Sequence, residues 1–158
     1  MTVVEIILRH TGRLGVDALE QLVAAECAIH NDCGWRRWEL PIFAEYGRNV
    51  VFEIDGELAG SAQLVRSWDH PTVAYLAGFG LLPARQKQGL GARCLALLVE
   101  QMKEQGFAAI ELTAAPDNAA AVKIYRDAGF RVTDRHDAKY GPGEDRLIMR
   151  LNLEETTS

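Results

Sequence analysis

The chain reads as a mixed α/β domain, and three patterns carry that reading. Short apolar runs that suit strands alternate with stretches such as Val16–His30 and Gly89–Gln105, whose apolar residues recur at helical spacing. Asp55-Gly56 lies between two apolar runs, the signature of a tight hairpin turn. Gly89 and Gly91 fall where a strand-like run gives way to a helical one. A chain of 158 residues suffices for one well-buried core and is short for two typical domains, so a single domain over 1–158 is expected.

The elements follow in order. Val3–Arg9 is expected as the first strand, and Glu5 inside its short apolar run argues against a signal peptide. Val16–His30 places Leu19, Leu22, Val23 and Cys27 at a helical period. After a loop at Asn31–Gly34, Trp38–Tyr46 is expected as a second, short helix. Asn49–Ile54 and Leu58–Val65 pair through the Asp55-Gly56 turn, and Val73–Leu82 is a further strand ended by Pro83. Gly89–Gln105 carries Leu90, Cys94, Leu97, Leu98 and Met102 on one side of a long helix. Phe107–Ala114 is a strand and Asp117–Ala128 a helix, stopped by Gly129 where a left-handed residue is wanted. Phe130–Arg135 and Arg146–Leu153 complete the order β-α-α-β-β-β-α-β-α-β-β.

Composition excludes several classes. Hydrophobic content of 48% and charged content of 25% are globular values. The net charge is −5 and the basic residues are scattered, so no nucleic-acid surface is expected. No apolar run approaches the roughly 20 residues of a membrane span, and a cytoplasmic protein is expected. Cys27, Cys33 and Cys94 read as reduced thiols without metal-ligand spacing. His30 and Asp32 offer two metal ligands without a third, so no metal site is expected.

The richest stretch is Gln86-Lys87-Gln88-Gly89-Leu90-Gly91. Glycines at a strand-to-helix turn leave backbone N–H groups uncovered at the positive end of the helix dipole, which favours phosphate. A dinucleotide fingerprint needs a third glycine where Cys94 stands, and a nucleotide P-loop needs a Gly-Lys-Ser/Thr that is absent. Arg85, Gln86, Lys87 and Gln88 add cationic and amide groups in front of the turn. Further on, Asn118 and Tyr125 lie seven residues apart on one helical segment, followed by Gly129-Phe130. Taken alone, Asn118 reads equally as a helix N-cap and Tyr125 as a core residue with a satisfied hydroxyl.

Together these segments resemble the GNAT family of acetyl-CoA-dependent N-acetyltransferases. That resemblance implies a mixed, mostly antiparallel central sheet with helices on both faces. Two splayed strands, here Val73–Leu82 and Phe107–Ala114, would form an acetyl-CoA cleft. It implies that Leu81, Gln86, Lys87, Gln88, Gly89, Leu90, Gly91 and Ala92 hold the coenzyme, with Asn118 bonding the pantetheine arm. Tyr125 would protonate the thiolate that departs when an amine attacks the thioester. Glycines in a strand mark a bulge or a close approach, and Gly78 and Gly80 suit either contact with the pantetheine or relief of crowding.

The chain departs from the family pattern at the general base. The positions that carry a carboxylate in many members hold Ala77, Gly78 and Thr113 here. Glu111, two residues before Thr113 on the same strand face, is the nearest carboxylate, with His70, His136, Asp117 and a water chain behind it. The missing base keeps alive a CoA-binding regulatory pseudoenzyme as the alternative. The segment His136–Leu151 resembles the branch of the family that acetylates protein N-termini, with Tyr140 then lining the acceptor groove; read alone, it is a hairpin with a Pro-Gly turn. Trp35 and Glu39 lie where the family builds its acceptor site and read either as an amine pocket or as cover for the core edge. The acceptor is an amine: a peptide N-terminus, a lysine, a polyamine or a small molecule. Family members often form homodimers, although no apolar stripe here marks an interface.

Overall fold

The computed structural model describes residues 3–31 and 34–154. Within them the chain runs β1 (Ile6–His10), α1 (Val16–Ile29), α2 (Leu40–Tyr46), β2 (Arg48–Ile54), β3 (Glu57–Arg66) and β4 (Val73–Leu81). It continues through α3 (Leu90–Glu104), β5 (Ala109–Ala114), α4 (Ala119–Asp127), β6 (Arg131–His136) and β7 (Arg146–Asn152). This is the order expected from sequence, with one addition, a 3₁₀ turn at Pro83–Arg85. The strands form a mixed, mostly antiparallel sheet in the order β1-β2-β3-β4-β5-β7-β6, the β4–β5 pair being parallel. None of the helices among the described residues is long and apolar enough to cross a membrane.

The chain packs as two compact units. The first holds the residues through Val65 together with Ala77–Cys94; the second holds Arg66–Leu76 and the residues from Leu95 onward.

In the first unit, β2 and β3 form the expected hairpin. Asp55 and Gly56 both take positive φ, 51° and 83°, the backbone a two-residue turn needs to match strand twist. Val50, Val51 and Phe52 are all buried, so β2 is covered on both faces and reads as a continuous apolar run. Helix α1 is rotated from its expected setting. Leu22, Ala25 and Glu26 are buried, whereas Cys27, assigned to the apolar side, is exposed. The cause is polar: the Glu26 carboxylate bonds Ser61 and Gln63 of β3, and the helix turns to bring it there. Asp32 and Cys33 lie outside the described residues. Helix α2 starts at Leu40, two residues later than expected, with Pro41 in its first turn, and Trp38 is left exposed.

In the second unit, Leu95, Leu98 and Met102 of α3, Ile110 and Leu112 of β5 and Met149 of β7 are all buried. Leu97, expected on that face, sits just off its edge and is 41% exposed, while Leu95 takes the place. Strand β5 pairs with β7 along its whole length, Ala109–Asn152 to Ala114–Leu147. Its parallel ladder with β4 is short, from Val73–Ala109 to Tyr75–Glu111, although β5 continues to Ala114. Asn118 caps α4, and Gly129 at φ +103° ends it. All six residues of the edge strand β6 are exposed and several are charged, which discourages edge pairing.

Gly60 of β3 marks a close backbone approach in the first unit: a Cβ there would fall on the Gly80 carbonyl oxygen and lie 2.9 Å from Leu81 Cα. Both are backbone atoms and cannot rotate away. Gly60→Ala is therefore expected to cost about 1–3 kcal/mol, read as a lower urea midpoint at unchanged slope. A variant with the parent midpoint would show that the two strands part there without strain.

Candidate functional site

The turn between β4 and α3 belongs to the first unit. Lys87 and Gly89 both have positive φ, 61° and 75°, so the chain bends sharply on either side of Gln88. The first bond from α3 back to the turn runs from Arg93 N–H to Gly89 O, 3.4 Å. The N–H groups of Leu90, Gly91 and Ala92 precede it and find no partner within the helix. Side chains shape this turn rather than fill it. Gln86 Nε2 donates to Leu81 O and Gln88 Nε2 to Ala84 O, both 2.9 Å. Arg85 pairs with Glu57 at 3.4 Å, and Lys87 is exposed. The loop thus offers backbone donors and one unpaired-face cation to an anion.

Also in the first unit is a buried polar cluster that sequence reading missed. Glu26 is 1% exposed. Its Oε1 accepts from Ser61 Oγ at 3.0 Å and from Gln63 Nε2 at 3.5 Å; its Oε2 accepts from the Trp35 backbone N–H at 3.1 Å. His30 Nε2 lies 3.7 Å from Oε2. Gln63 Nε2 also donates to Asn49 Oδ1, 3.0 Å, which leaves Gln63 Oε1 buried without a partner. Gly78 and Gly80 of β4 face this cluster. A Cβ on Gly78 would fall on Gln63 Oε1 and 2.6 Å from Trp35 Nε1; one on Gly80 would fall on Ile29 and 3.6 Å from His30 Cε1. Packing therefore gives both glycines a reason. Trp35 also packs against Phe43, the rings tilted by 57° with centroids 4.8 Å apart. Glu39 turns away to accept from Arg36 N–H, 3.1 Å.

The second unit brings together Tyr75, Glu111, Thr113, His136 and Tyr140 around a cavity of about 600 Å³. Tyr75 and Thr113 hydroxyls are hydrogen-bonded at 3.2 Å. Glu111 pairs with Arg150, Nη1 to Oε1 3.1 Å, across the β5–β7 ladder. His136 Nε2 lies 3.2 Å from Asp134, and Tyr140 is 60% exposed with the Arg146 guanidinium over its ring. Tyr125, on α4, packs its ring edge-on against Phe130 at 5.7 Å. Burial, and then the neighbouring Tyr75, push its phenol up to about 12. Burial likewise raises Tyr75, against a smaller downward pull from the Thr113 hydrogen bond. Asn118 caps its helix, Oδ1 accepting from Ala121 N–H at 3.2 Å, so its amide N–H₂ is what it has left to offer a ligand. His70 and Asp117 are exposed, His70 in a loop where its backbone N–H donates to Ser67 Oγ. Among the described residues there is no group of three or more side chains that could hold a metal.

Of the residues missed, Glu26 had the plainest signal: a carboxylate one turn after Leu22 and one turn before His30. Ser61 and Gln63, alternating in an otherwise apolar strand, gave the second.

Residues 16–130 match the model of the Acetyltransferase (GNAT) family. Over 103 residues the chain is 33% identical to a mycothiol acetyltransferase of Paenarthrobacter aurescens, covering 63% of this chain and 32% of that protein. Over 85 residues it is 35% identical to the ribosomal protein bS18-alanine N-acetyltransferase of Escherichia coli, covering 51% and 56%. These matches thus span between about a third and a little over half of the relatives' lengths. The crystal structure of the ribosomal-protein-S18-alanine N-acetyltransferase from Escherichia coli superposes with a TM-score of 0.79 at 23% identity, over 98% of this chain and 97% of that one.

Tyr125 makes stability depend on alkaline pH. Its folded value, about 12, exceeds the ordinary 10.0, so its contribution is complete below pH 10 and is lost as pH rises toward 12. Between pH 9 and 11 the parent should lose about 1.4 kcal/mol through this group. Tyr125→Phe should lack that part of the decline when urea unfolding is measured at both pH values. Equal losses in the two proteins would show that the phenol titrates normally.

Proposed function

The chain belongs to the GNAT acetyltransferase family, and from that premise we propose that it moves the acetyl group of acetyl-CoA to a primary amine. The observation that carries this reading is the β4–α3 turn, where two positive-φ residues and a helix start direct backbone donors outward. The coenzyme's diphosphate accepts from the N–H groups of Gln88 through Ala92, with Gly89 and Gly91 keeping side chains out of the way and Lys87 adding charge. Gln86 keeps the loop on Leu81, whose strand backbone receives the pantetheine arm. Asn118 uses its free amide N–H₂ on the same arm.

The amine attacks the thioester carbon directly, the C–S bond breaks, and no covalent enzyme intermediate forms. Tyr125 keeps its proton at neutral pH and donates a hydrogen bond to the departing sulfur. The amine-bearing acceptor enters the cavity of the second unit, where Tyr140 and Tyr75 form walls and Glu111 attracts the ammonium. One Glu111 oxygen already accepts from Arg150, and that bond must open before it takes a proton. Trp35 and Glu39 of the α1–α2 segment are the first unit's candidates for contact with an acceptor, Glu39 once it releases the Arg36 N–H. Peptide N-termini, lysine and small amines are all within this class, and the family supports the cytoplasm as the place of work. A CoA-binding regulator without turnover is what a failed amine screen would leave.

Two outcomes test the reading. Acetyl-CoA at about 100 times its dissociation constant should stabilise the fold by roughly 2.7 kcal/mol, seen as a thermal shift. Gly91→Val should abolish most of that shift by covering the loop amides; equal binding by the variant would remove the diphosphate from this turn. Tyr125→Phe keeps the ring and its packing at neutral pH. It should bind acetyl-CoA normally yet lose about 10²-fold in single-turnover thiol release, the size of losing one donor to a developing anion, with an alanyl peptide, lysine, spermidine or tyramine as acceptor. Near-parent release from the folded variant would reduce Tyr125 to a packing residue.

A further inference from the structure

The cavity of the second unit is lined by Glu111, Asp134, His136 and Lys139 as well as by its two tyrosines. Three of these four ionisable groups are matched. Glu111 Oε1 takes Arg150 Nη1 at 3.1 Å, and Asp134 Oδ2 lies 3.2 Å from His136 Nε2. Arg146, whose guanidinium lies over the Tyr140 ring, pairs with Glu144 at 2.9 Å. Lys139 has no carboxylate partner among the described residues, and its ammonium lies 5.8 Å from the centroid of the Tyr140 ring. The cavity therefore holds a cation at its rim whose counter-ion is missing.

The turn that carries Lys139 is tied down. Asp145 Oδ1 accepts from Ala138 N–H at 2.8 Å, and Oδ2 accepts from Arg135 Nη2 at 3.1 Å. Ala138 takes φ +51°, and Gly141 N–H closes the turn on Ala138 O at 3.0 Å. The β5–β7 and β6–β7 registers set the distance from this turn to Glu111. Glu111 stands opposite Arg150 and Thr113 opposite Ile148, and the turn opens beyond the Arg146–His136 pair. From Arg150 to Arg146 is about 13 Å of strand, which an extended peptide covers in about four residues. A peptide whose free amine lies between Glu111 and Thr113 thus brings one of its next few side chains to Lys139. A polyamine would put a second cation there and be repelled, and a single amino acid or small amine spans too little.

Resting on the acetyl-transfer reading above, we propose that the acceptor is a peptide N-terminus with an acidic side chain within about its first four residues, and that Lys139 is the residue that selects it. Glu111 keeps Oε2 for the ammonium while Arg150 holds Oε1, so the two ends of the cavity offer opposite charges to the two ends of the same short segment. The contact with Lys139 lies away from the reacting atoms. It acts on binding of the acceptor and on the choice between peptides.

The test follows thiol release from acetyl-CoA with alanyl peptides that differ only in carrying Glu, Gln or Lys at the second, third or fourth position. At one of these positions the parent should use the Glu peptide about 3- to 10-fold better than the Lys peptide in kcat/KM, the size of an exposed charge pair. The difference should lie in KM and shrink as salt is raised. Lys139→Glu should reverse the order, and Lys139→Gln should make the three peptides alike. A parent that acetylates Glu and Lys peptides equally at every position overturns this proposal alone, as does a preference that survives Lys139→Glu. Transfer to spermidine, lysine or tyramine with none to any alanyl peptide also overturns it and leaves acetyl transfer standing. A parent that binds no acetyl-CoA overturns the acetyl-transfer reading and this proposal with it. The parent's own peptide preference and its salt dependence decide the matter even where a Lys139 variant fails to fold.

Discussion

One buried charge organises the first unit. Removing a carboxylate from water costs several kcal/mol even after relaxation, and that cost is met only if both oxygens find donors. Glu26 meets it with a β3 hydroxyl, a β3 amide and a loop N–H, three bonds that tie α1, β3 and the Trp35 segment to one point. The rotation of α1 follows, because the helix must aim Glu26 rather than Cys27 inward. So does the glycine at 34: it has φ +41°, and a side chain there would run into Glu26 and His30. A charge that is hard to place limits what may surround it, and here it limits three separate elements.

The same limit explains the sparse side chains of β4. Glycine inside a strand costs roughly 0.5–1 kcal/mol relative to alanine. Gly78 and Gly80 accept that cost because Trp35, Gln63, Ile29 and His30 already occupy the space beside them. Crowding on that side does not compete with a ligand role, since a strand stripped of side chains also lets another chain or a coenzyme arm approach its backbone. Packing alone calls for glycine at both positions.

Much of the architecture was legible in the amino-acid sequence because it depends on local signals. The Asp55-Gly56 hairpin, the Gly129 stop and the order of elements come from turn chemistry and apolar period, which act within a few residues. The failures came where distant residues overrode the period. Cys27 and Leu97 fit an apolar stripe but lie outside the buried arc, while Glu26, an unlikely core residue by type, lies within it. No window of sequence contains Glu26, Ser61 and Gln63 together, so their partnership is invisible until the chain is folded. The glycine turn and the Asn118–Tyr125 spacing could be read because each is a short motif with a mechanism; Asn118 then proved to spend one atom on capping, as its position before a helix allows. Glu111 was legible as a carboxylate on β5, but its bond to Arg150 required the β7 register.

On the acetyl-transfer reading, Tyr125 serves as a hydrogen-bond donor to the leaving group and not as the base. Its phenol is raised to about 12, whereas an ordinary thiol lies near 8.5. Passing the proton fully to a departing thiolate is uphill by about 3.5 units, or close to 5 kcal/mol. On the acetyl-transfer reading the proton then stays on oxygen while the C–S bond breaks, and sulfur leaves as an anion held by a charge-assisted hydrogen bond of about 1.5–3 kcal/mol. A phenol that is protonated at neutral pH cannot at the same time collect the proton shed by the amine. The incoming nitrogen must deliver that proton elsewhere. A half-buried tyrosine with a raised phenol offers the leaving group a donor that stays protonated at neutral pH, and on this reading proton removal from the amine falls to a separate group.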